Sequence, residues 1–259
     1  MDYYTLTGLF FGAVVLIVGA RHGGALSAFV NPHGLYIVIG GTICATMVNC
    51  SGREIRGVLR SLKSAFLSPA HGEPEVIIPL MVDLCRQARR GGQRALLEGV
   101  RQSSGGEFLS RAAETCVTLG EQSLARTALE REINQMRLRH REVGNVFRTM
   151  GLLAPMFGLL GTLIGIISVL RNLTDAMQTG PAMAVAISSA FYGILTANLF
   201  CVPIANKLRM RSIQEGLAQE VIMVGILSIV FSQRVPAALE AELTGYLEGR
   251  RKTFEQPAE

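Results

Sequence analysis

The chain has 259 residues, 49% hydrophobic and 17% charged, with 25 Lys+Arg against 20 Asp+Glu. A soluble domain carries about 25% charged residues, so charge is sparse here, and a mean hydropathy of +0.34 excludes a disordered chain. Five cysteines are too few, and odd in number, for a disulfide scaffold, and a pI near 9.2 points to nucleic acid only if the basic residues are placed for it.

Asp, Glu, Lys and Arg are missing from four runs: 18 residues over 3–20, 31 over 22–52, 22 over 149–170 and 31 over 176–206. A transmembrane helix needs about 20 mostly apolar residues. Four spans are therefore expected, near 3–20, 34–51, 149–170 and 182–205. The alternative is four buried helices of a soluble protein. Such helices keep a charged wet face, and these runs have none. A cleaved signal peptide is the alternative for the first run. It wants a basic start, whereas Met1-Asp2-Tyr3 offers only an acid, so an uncleaved span is expected.

Between 52 and 148 lie 16 Lys+Arg, and 7 more follow from Lys207. The other two connections hold one each, Arg21 and Arg171. The positive-inside rule then places both basic regions and both termini in the cytoplasm. The pI reports topology, and no nucleic-acid partner is expected. The expected fold is an all-α membrane protein. It has transmembrane helices 1 and 2 (1–51), a helical cytoplasmic domain (52–148), transmembrane helices 3 and 4 (149–206), and cytoplasmic C-terminal helices and tail (207–259).

Within 52–148, Ile77, Leu80/Met81, Leu84 and Ala88 recur at helical spacing. Gly91-Gly92, Ser103-Ser104-Gly105-Gly106 and Gly120 punctuate it. Leu124, Leu129, Ile133, Met136, Val143 and Phe147 form a stripe that runs into the third span. Two long helices are expected to cross the bilayer and project inside. Residues 221–231 are eleven apolar residues, too few to span. They predict a helix packed on the cytoplasmic domain and broken by Pro236, with a frayed tail after Arg250.

The third span places small residues at Ala154, Gly158, Gly161 and Gly165. The fourth has Ala182, Ala186 and Ala190, then Ser189, Gly193 and Ala197, at four-residue spacing. Such rows let backbones approach closely. They serve either packing of these two helices on each other, or an oligomer or sliding partner helix. Pro155 and Pro203 each remove a backbone hydrogen bond and can kink a helix. No Asp, Glu or His lies within any of the four spans. Proton relays in membranes use those residues, so a titrating carboxylate would have to come from another chain. The sequence has no phosphate-binding Gly-x4-Gly-Lys, no Gly-x-Ser-x-Gly and no Cys/His ligand spacing. No enzyme, cofactor or metal is expected, and the cysteines read as reduced, buried thiols.

Four sets of residues resemble the MotA/PomA subunits of the bacterial flagellar stator, within the MotA/TolQ/ExbB superfamily. The third span reads Ala154-Pro155-x-x-Gly158-x-x-Gly161-Thr162-x-x-Gly165. The fourth carries Ala184, Ala186, Tyr192-Gly193, Asn198, Pro203 and Lys207-Leu208. Gly40-Gly41-Thr42 and Glu220-Val-Ile with Gly225-Ile-Leu-Ser-Ile are similar too. The ExbB/TolQ energy transducers look like a three-span version, and the extra first span argues against them.

The resemblance implies a multi-pass inner-membrane motor. Five copies would ring two MotB/PomB-type subunits that supply the ion-binding Asp, and the ring would push a rotor protein of the FliG type. Pro155 and Pro203 resemble the family's two functional prolines, and Thr162 its threonine near the ion path. Arg89 or Arg90 with Glu98 resembles the rotor-interaction charges, with the choice of arginine left open. Sodium-driven relatives carry Thr-Thr before Leu-Tyr-Gly, where this chain has Ser189-Ala190-Phe191-Tyr192-Gly193. A hard cation needs replacement oxygens for its lost water, and Ala190 offers none. The transported ion is therefore expected to be H+ rather than Na+.

Overall fold

The computed structural model describes residues 31–52, 54–58, 74–103, 105–171 and 176–255, with nine positions between 7 and 19. Among the described residues there are helices and no strand. Most of the expected first span lies outside them, and the nine described positions there are all helical.

Helix α1 comprises Pro32–Leu35, a π turn Tyr36–Gly40, and Gly41–Asn49. Asn31 caps it, its Oδ1 accepting from the backbone N–H of His33 at 3.1 Å and of Gly34 at 3.4 Å, and Pro32 follows at the position where a missing N–H costs nothing. The helix stops at Cys50, whose backbone is extended. A new turn starts at once through a reciprocal cap: Ser51 N–H donates to Glu54 Oε2 at 2.5 Å, and Glu54 N–H to Ser51 Oγ at 3.4 Å. Residues 54–58 are helical.

Helix α2 covers Pro74–Gln102 and bends at Gly92, where φ is 68°. That left-handed value suits glycine, and the Gly91-Gly92 pair announces it in the sequence. Helix α3 (Gly106–Leu119) closes on left-handed Gly120, whose N–H donates to the Cys116 carbonyl at 3.2 Å. Helix α4 runs unbroken from Gln122 to Arg171, 50 residues, about 75 Å at 1.5 Å per residue. Helix α5 (Ala176–Leu195) continues through a π turn (Thr196–Cys201) into α6 (Val202–Leu227) and a second π turn (Ser228–Ser232). Helix α7 is Pro236–Glu255.

Among the described residues two stretches are long and apolar enough to cross a membrane: Gln122–Arg171, with a window hydropathy of 2.2 of which 22% is buried, and Thr179–Ser232, at 1.7 and 33%. The low burial separates them from core helices of a soluble protein, which hide their apolar face.

The chain divides into two compact units, 1–67 with 141–209 and 68–140 with 210–259. The second unit has its own core. Ile77, Met81 and Leu84 of α2, Leu109 and Cys116 of α3, and Leu129 and Ile133 of α4 meet Val221, Ile222 and Ile226 of α6 and Leu239 and Leu243 of α7. The apolar 221–231 stretch is thus core, as its length implies.

Four sequence expectations need correction. Leu124 is exposed, and the stripe enters the core instead through Ala125, one residue on, because 124 and 129 are separated by five residues and do not share a helix face. Pro236 does not break a helix; it opens α7. The break comes earlier, at Gln233, the one described non-glycine residue with positive φ (45°). The last helix also extends past Arg250 to Glu255. Finally, Cys85, Cys116 and Cys201 are buried thiols, but Cys44 is exposed.

Candidate functional site

In the first unit α4 and α5 touch along backbone. Ala154, Gly158, Gly161 and Gly165 are all buried on α4. A methyl on Gly165 would lie 2.6 Å from Ala186 Cβ and 2.7 Å from its nitrogen. One on Gly158 would lie 3.0 Å from the Ser189 carbonyl, and one on Gly193 would lie 2.6 Å from the Ala154 carbonyl and 3.2 Å from Pro155 Cα. Side chains larger than hydrogen are excluded by main chain, which cannot yield as a flexible side chain does. Helix α1 joins the same seam. A methyl on Gly34 would stand 2.9 Å from Ser189 Oγ and 3.0 Å from Ser188 Oγ, and one on Gly41 would overlap the Phe157 ring.

The small-residue rows therefore serve packing within one chain, the first of the two uses open from the pattern. What points away is large and apolar: Leu152, Met156, Leu159, Leu163, Ile167 and Leu170 are all exposed.

The hydroxyls on this seam are tied to their own helices. Ser189 is fully buried, and its Oγ donates to the Val185 carbonyl at 2.7 Å. Ser188 Oγ donates to the Ala184 carbonyl at 2.6 Å. On α1, buried Thr42 and Thr46 donate to the carbonyls of Val38 and Thr42, each at 2.6 Å. Ala190 is half-buried, its Cα turned to Gly158. Thr162 is half-exposed, beside this seam, and its Oγ1 donates to the Leu159 carbonyl at 2.6 Å. The Tyr192 hydroxyl accepts from the Asn31 backbone N–H at 3.0 Å, pinning the start of α1 to α5.

Pro155 lies inside unbroken α4 against Gly193. Pro203 stands one residue past the π turn Thr196–Cys201, after Val202. A proline ring clashes with the carbonyl four residues back and lacks the N–H to bond it. A local change to π geometry is one way a membrane helix re-satisfies those groups. Pro155, Ser189 and Ala190 thus meet on one seam, Thr162 lies at its side, and Pro203 stands further along at a change of helix type. Sequence reasoning missed Gly34 and Asn31. Their signal is local, since an Asn-Pro start and a glycine one turn in mark a capped helix, but nothing in the pattern says what it packs against.

In the second unit, Arg90 and Glu98 line one shallow concavity of 330 Å³ with Gln87, Gly91 and Ala95. Arg89 lines another, of 440 Å³, with Gln93, Gln233 and Arg234. Both arginines precede the bend at Gly92, and one helical step of about 100° turns them to different concavities. Beside Arg89, burial pushes the Cys85 thiol up, while the Arg89 and Arg86 guanidiniums pull it back. A further group entered the sequence reading only through Glu220, as part of a family-like run and without its partners. Glu220, 6% exposed, accepts from Arg137 Nη2 at 2.6 Å and from the Tyr246 hydroxyl at 2.8 Å, joining α4, α6 and α7. Its sequence signal is a lone carboxylate before an apolar run. Among the described residues no three His, Cys, Asp or Glu gather as metal ligands.

Residues 100–220 match the MotA/TolQ/ExbB proton channel family. Over 252 residues the chain is 34% identical to the Chemotaxis protein PomA of Vibrio alginolyticus, covering 97% of this chain and 98% of that one. The chain belongs to the MotA/PomA family. It is also 31% identical over 251 residues to Motility protein A of Bacillus subtilis, covering 96% and 92%. The structure of the flagellar MotAB stator complex from Bacillus subtilis superposes with a TM-score of 0.85 at 30% identity, over 97% of this chain and 98% of that one. The C. jejuni MotAB structure gives 0.86 at 23% identity, covering 95% and 96%, a likeness of fold.

Proposed function

We propose that this chain is the ring subunit of a bacterial flagellar stator, working with a MotB-type partner to turn ion flow into torque. Its membership of a channel family, as opposed to an enzyme family, supports this, as does its near full-length likeness to a stator subunit. In this reading four helices cross the inner membrane and both termini face the cytoplasm. Five copies surround two partner subunits. The observation that carries the reading is chemical. The seam of α1, α4 and α5 is built from glycine, alanine and self-bonded hydroxyls, and no Asp, Glu, Lys or Arg lies in the charge-free runs that form it. Such a seam is a rigid, neutral wall. With no Asp or Glu in these runs, the proton-carrying carboxylate comes from the partner.

The ion in this reading is H+. Ser189 is fully buried against its neighbours and Ala190 has no hydroxyl, so a dehydrated Na+ would find few oxygens at that level. Pro155 and Pro203 give the wall its two points of altered backbone bonding, and Thr162 borders it. Arg90 with Glu98, and Arg89, face a FliG-type rotor protein.

Deleting the gene should leave filaments assembled but paralysed, and restoring it should restore swimming. Swimming should persist in sodium-free medium and stop with a protonophore. Sodium-dependent swimming that ignores the protonophore would refute the proton assignment. Normal swimming with a lost outer-membrane uptake function would move the chain to the ExbB/TolQ class.

A further inference from the structure

The first unit carries a band of exposed cations whose depth can be worked out from its packing. Helix α1 runs antiparallel to α4. Gly41 meets Phe157, Ile37 lies beside Gly161, and sixteen residues beyond Gly41, Gly57 lies 3.3 Å (as a methyl) from Val143. On the other side Gly151 lies against Cys201 and Val202. Eight residues further down α4, Val143 is therefore level with about residue 209 of α6.

Three separate segments thus bring Arg56, Arg141, Lys207 and Arg209 to one level, and Arg148 stands about 8 Å nearer the charge-free run. Arg56, Arg141, Arg148 and Arg209 are exposed. Glu54 and Glu142 share the level, but Glu54 is engaged in capping Ser51. Five cations face two carboxylates.

Resting on the membrane reading above, the depth of this collar is informative. Val143 lies about 9 Å past Thr149, where the charge-free run ends, and the headgroup layer is roughly 5–8 Å thick on each side. Arginine side chains extend along apolar surface toward such a layer, so the collar reaches the phosphates of the inner leaflet. Topology alone requires only that the charges be cytoplasmic. It does not require one level drawn from three helices.

We propose that this collar is a binding site for anionic phospholipid headgroups, which it holds around the subunit in preference to zwitterionic ones. Guanidinium and ammonium both bind phosphate, and surface cations attract an anionic leaflet strongly.

The test uses the full chain with its partner in nanodiscs of three parts phosphatidylcholine to one part phosphatidylglycerol. Lipids retained after detergent exchange are quantified by mass spectrometry. The wild type should hold phosphatidylglycerol over phosphatidylcholine at a ratio about fivefold above the bulk ratio, the effect of roughly one cation's attraction. Arg56→Gln, Arg141→Gln, Arg148→Gln and Arg209→Gln combined should abolish the enrichment. The four Lys replacements should keep it, since point charges suffice. Wild-type retention at the bulk ratio, or enrichment that survives the four Gln changes, overturns the proposal. A chain that fails to float with vesicles at all refutes the membrane reading itself and the collar with it.

Discussion

Replacing Gly193 by alanine probes the seam directly. The new methyl would lie 2.6 Å from the Ala154 carbonyl oxygen, 3.0 Å from Gly158 Cα and 3.2 Å from Pro155 Cα. An ordinary carbon–oxygen contact is about 3.3 Å or more, so α4 and α5 must part by roughly 0.7 Å. All three obstacles are main chain and cannot rotate away. Overpacking of this kind costs about 1–3 kcal/mol. A gap of that size also forfeits a quarter to a half of each neighbouring dispersion contact, at Gly158 and Gly161 among others. Alanine's better helix propensity returns about 1 kcal/mol. The net loss is about 1–3 kcal/mol, or roughly 2–12 °C in Tm at 2–4 °C per kcal/mol. The control is Gly144→Ala, in the same α4, where a methyl meets nothing within 4 Å. It should gain up to about 1 kcal/mol. Thermal unfolding of the purified complex measures both, and a swimming assay reports function. If Gly193→Ala melts with Gly144→Ala, the seam is not close-packed and the rigid-wall argument fails.

Glu220→Gln should cost about 2–3 kcal/mol, since it leaves the Arg137 charge without its carboxylate, 28% exposed on the arginine side; a double-mutant cycle with Arg137→Gln by thermal unfolding should show strong coupling, and additivity would contradict it. Burial pushes the Cys116 thiol up to about 11, so the unfolded chain loses this proton first as pH rises. Stability tied to Cys116 should therefore be intact below pH 9 and fall between about 9 and 11, and a Cys116→Ala variant should flatten that part of the pH–Tm curve. Charge reversal at Arg90 should impair swimming more than reversal at Arg89, because Arg90 shares its concavity with Glu98; equal effects in a motility assay would contradict that pairing.

Much of the architecture was legible because membranes enforce it. Uncharged runs of 22 and 31 residues admit few readings, and α4 and α5 lie on them. The four-spaced rows also named the seam, since Gly158, Gly161 and Gly165 are small because Ser189, Gly193 and Ala186 press on them. The third member of the seam was not legible. Gly34 and Gly41 meet partners more than 100 residues away, and a period along one helix carries no information about which helix it faces. The same holds for Glu220, whose partners Arg137 and Tyr246 lie 83 and 26 residues off. Local errors were of one kind. Leu124 and Pro236 were judged by type, but helical phase decides the first and position within the turn the second.

Which arginine pairs with Glu98 was open because residues 89 and 90 differ by one step of about 100° around a helix, and the Gly92 bend resets the phase beyond it. The π turn before Pro203 had its cause in the sequence, but proline can be accommodated in several ways.

The central claim is that five copies of this chain form a ring around a partner that brings the membrane carboxylate. Imaging the purified complex with its MotB-type partner, at a resolution that counts chains, tests it most directly. The account predicts five copies of this chain around two of the partner, with the exposed faces of Leu152, Met156 and Leu159 turned to lipid, neighbour or partner. A stable monomer, or a complex with no carboxylate-bearing helix enclosed by these chains, would contradict it.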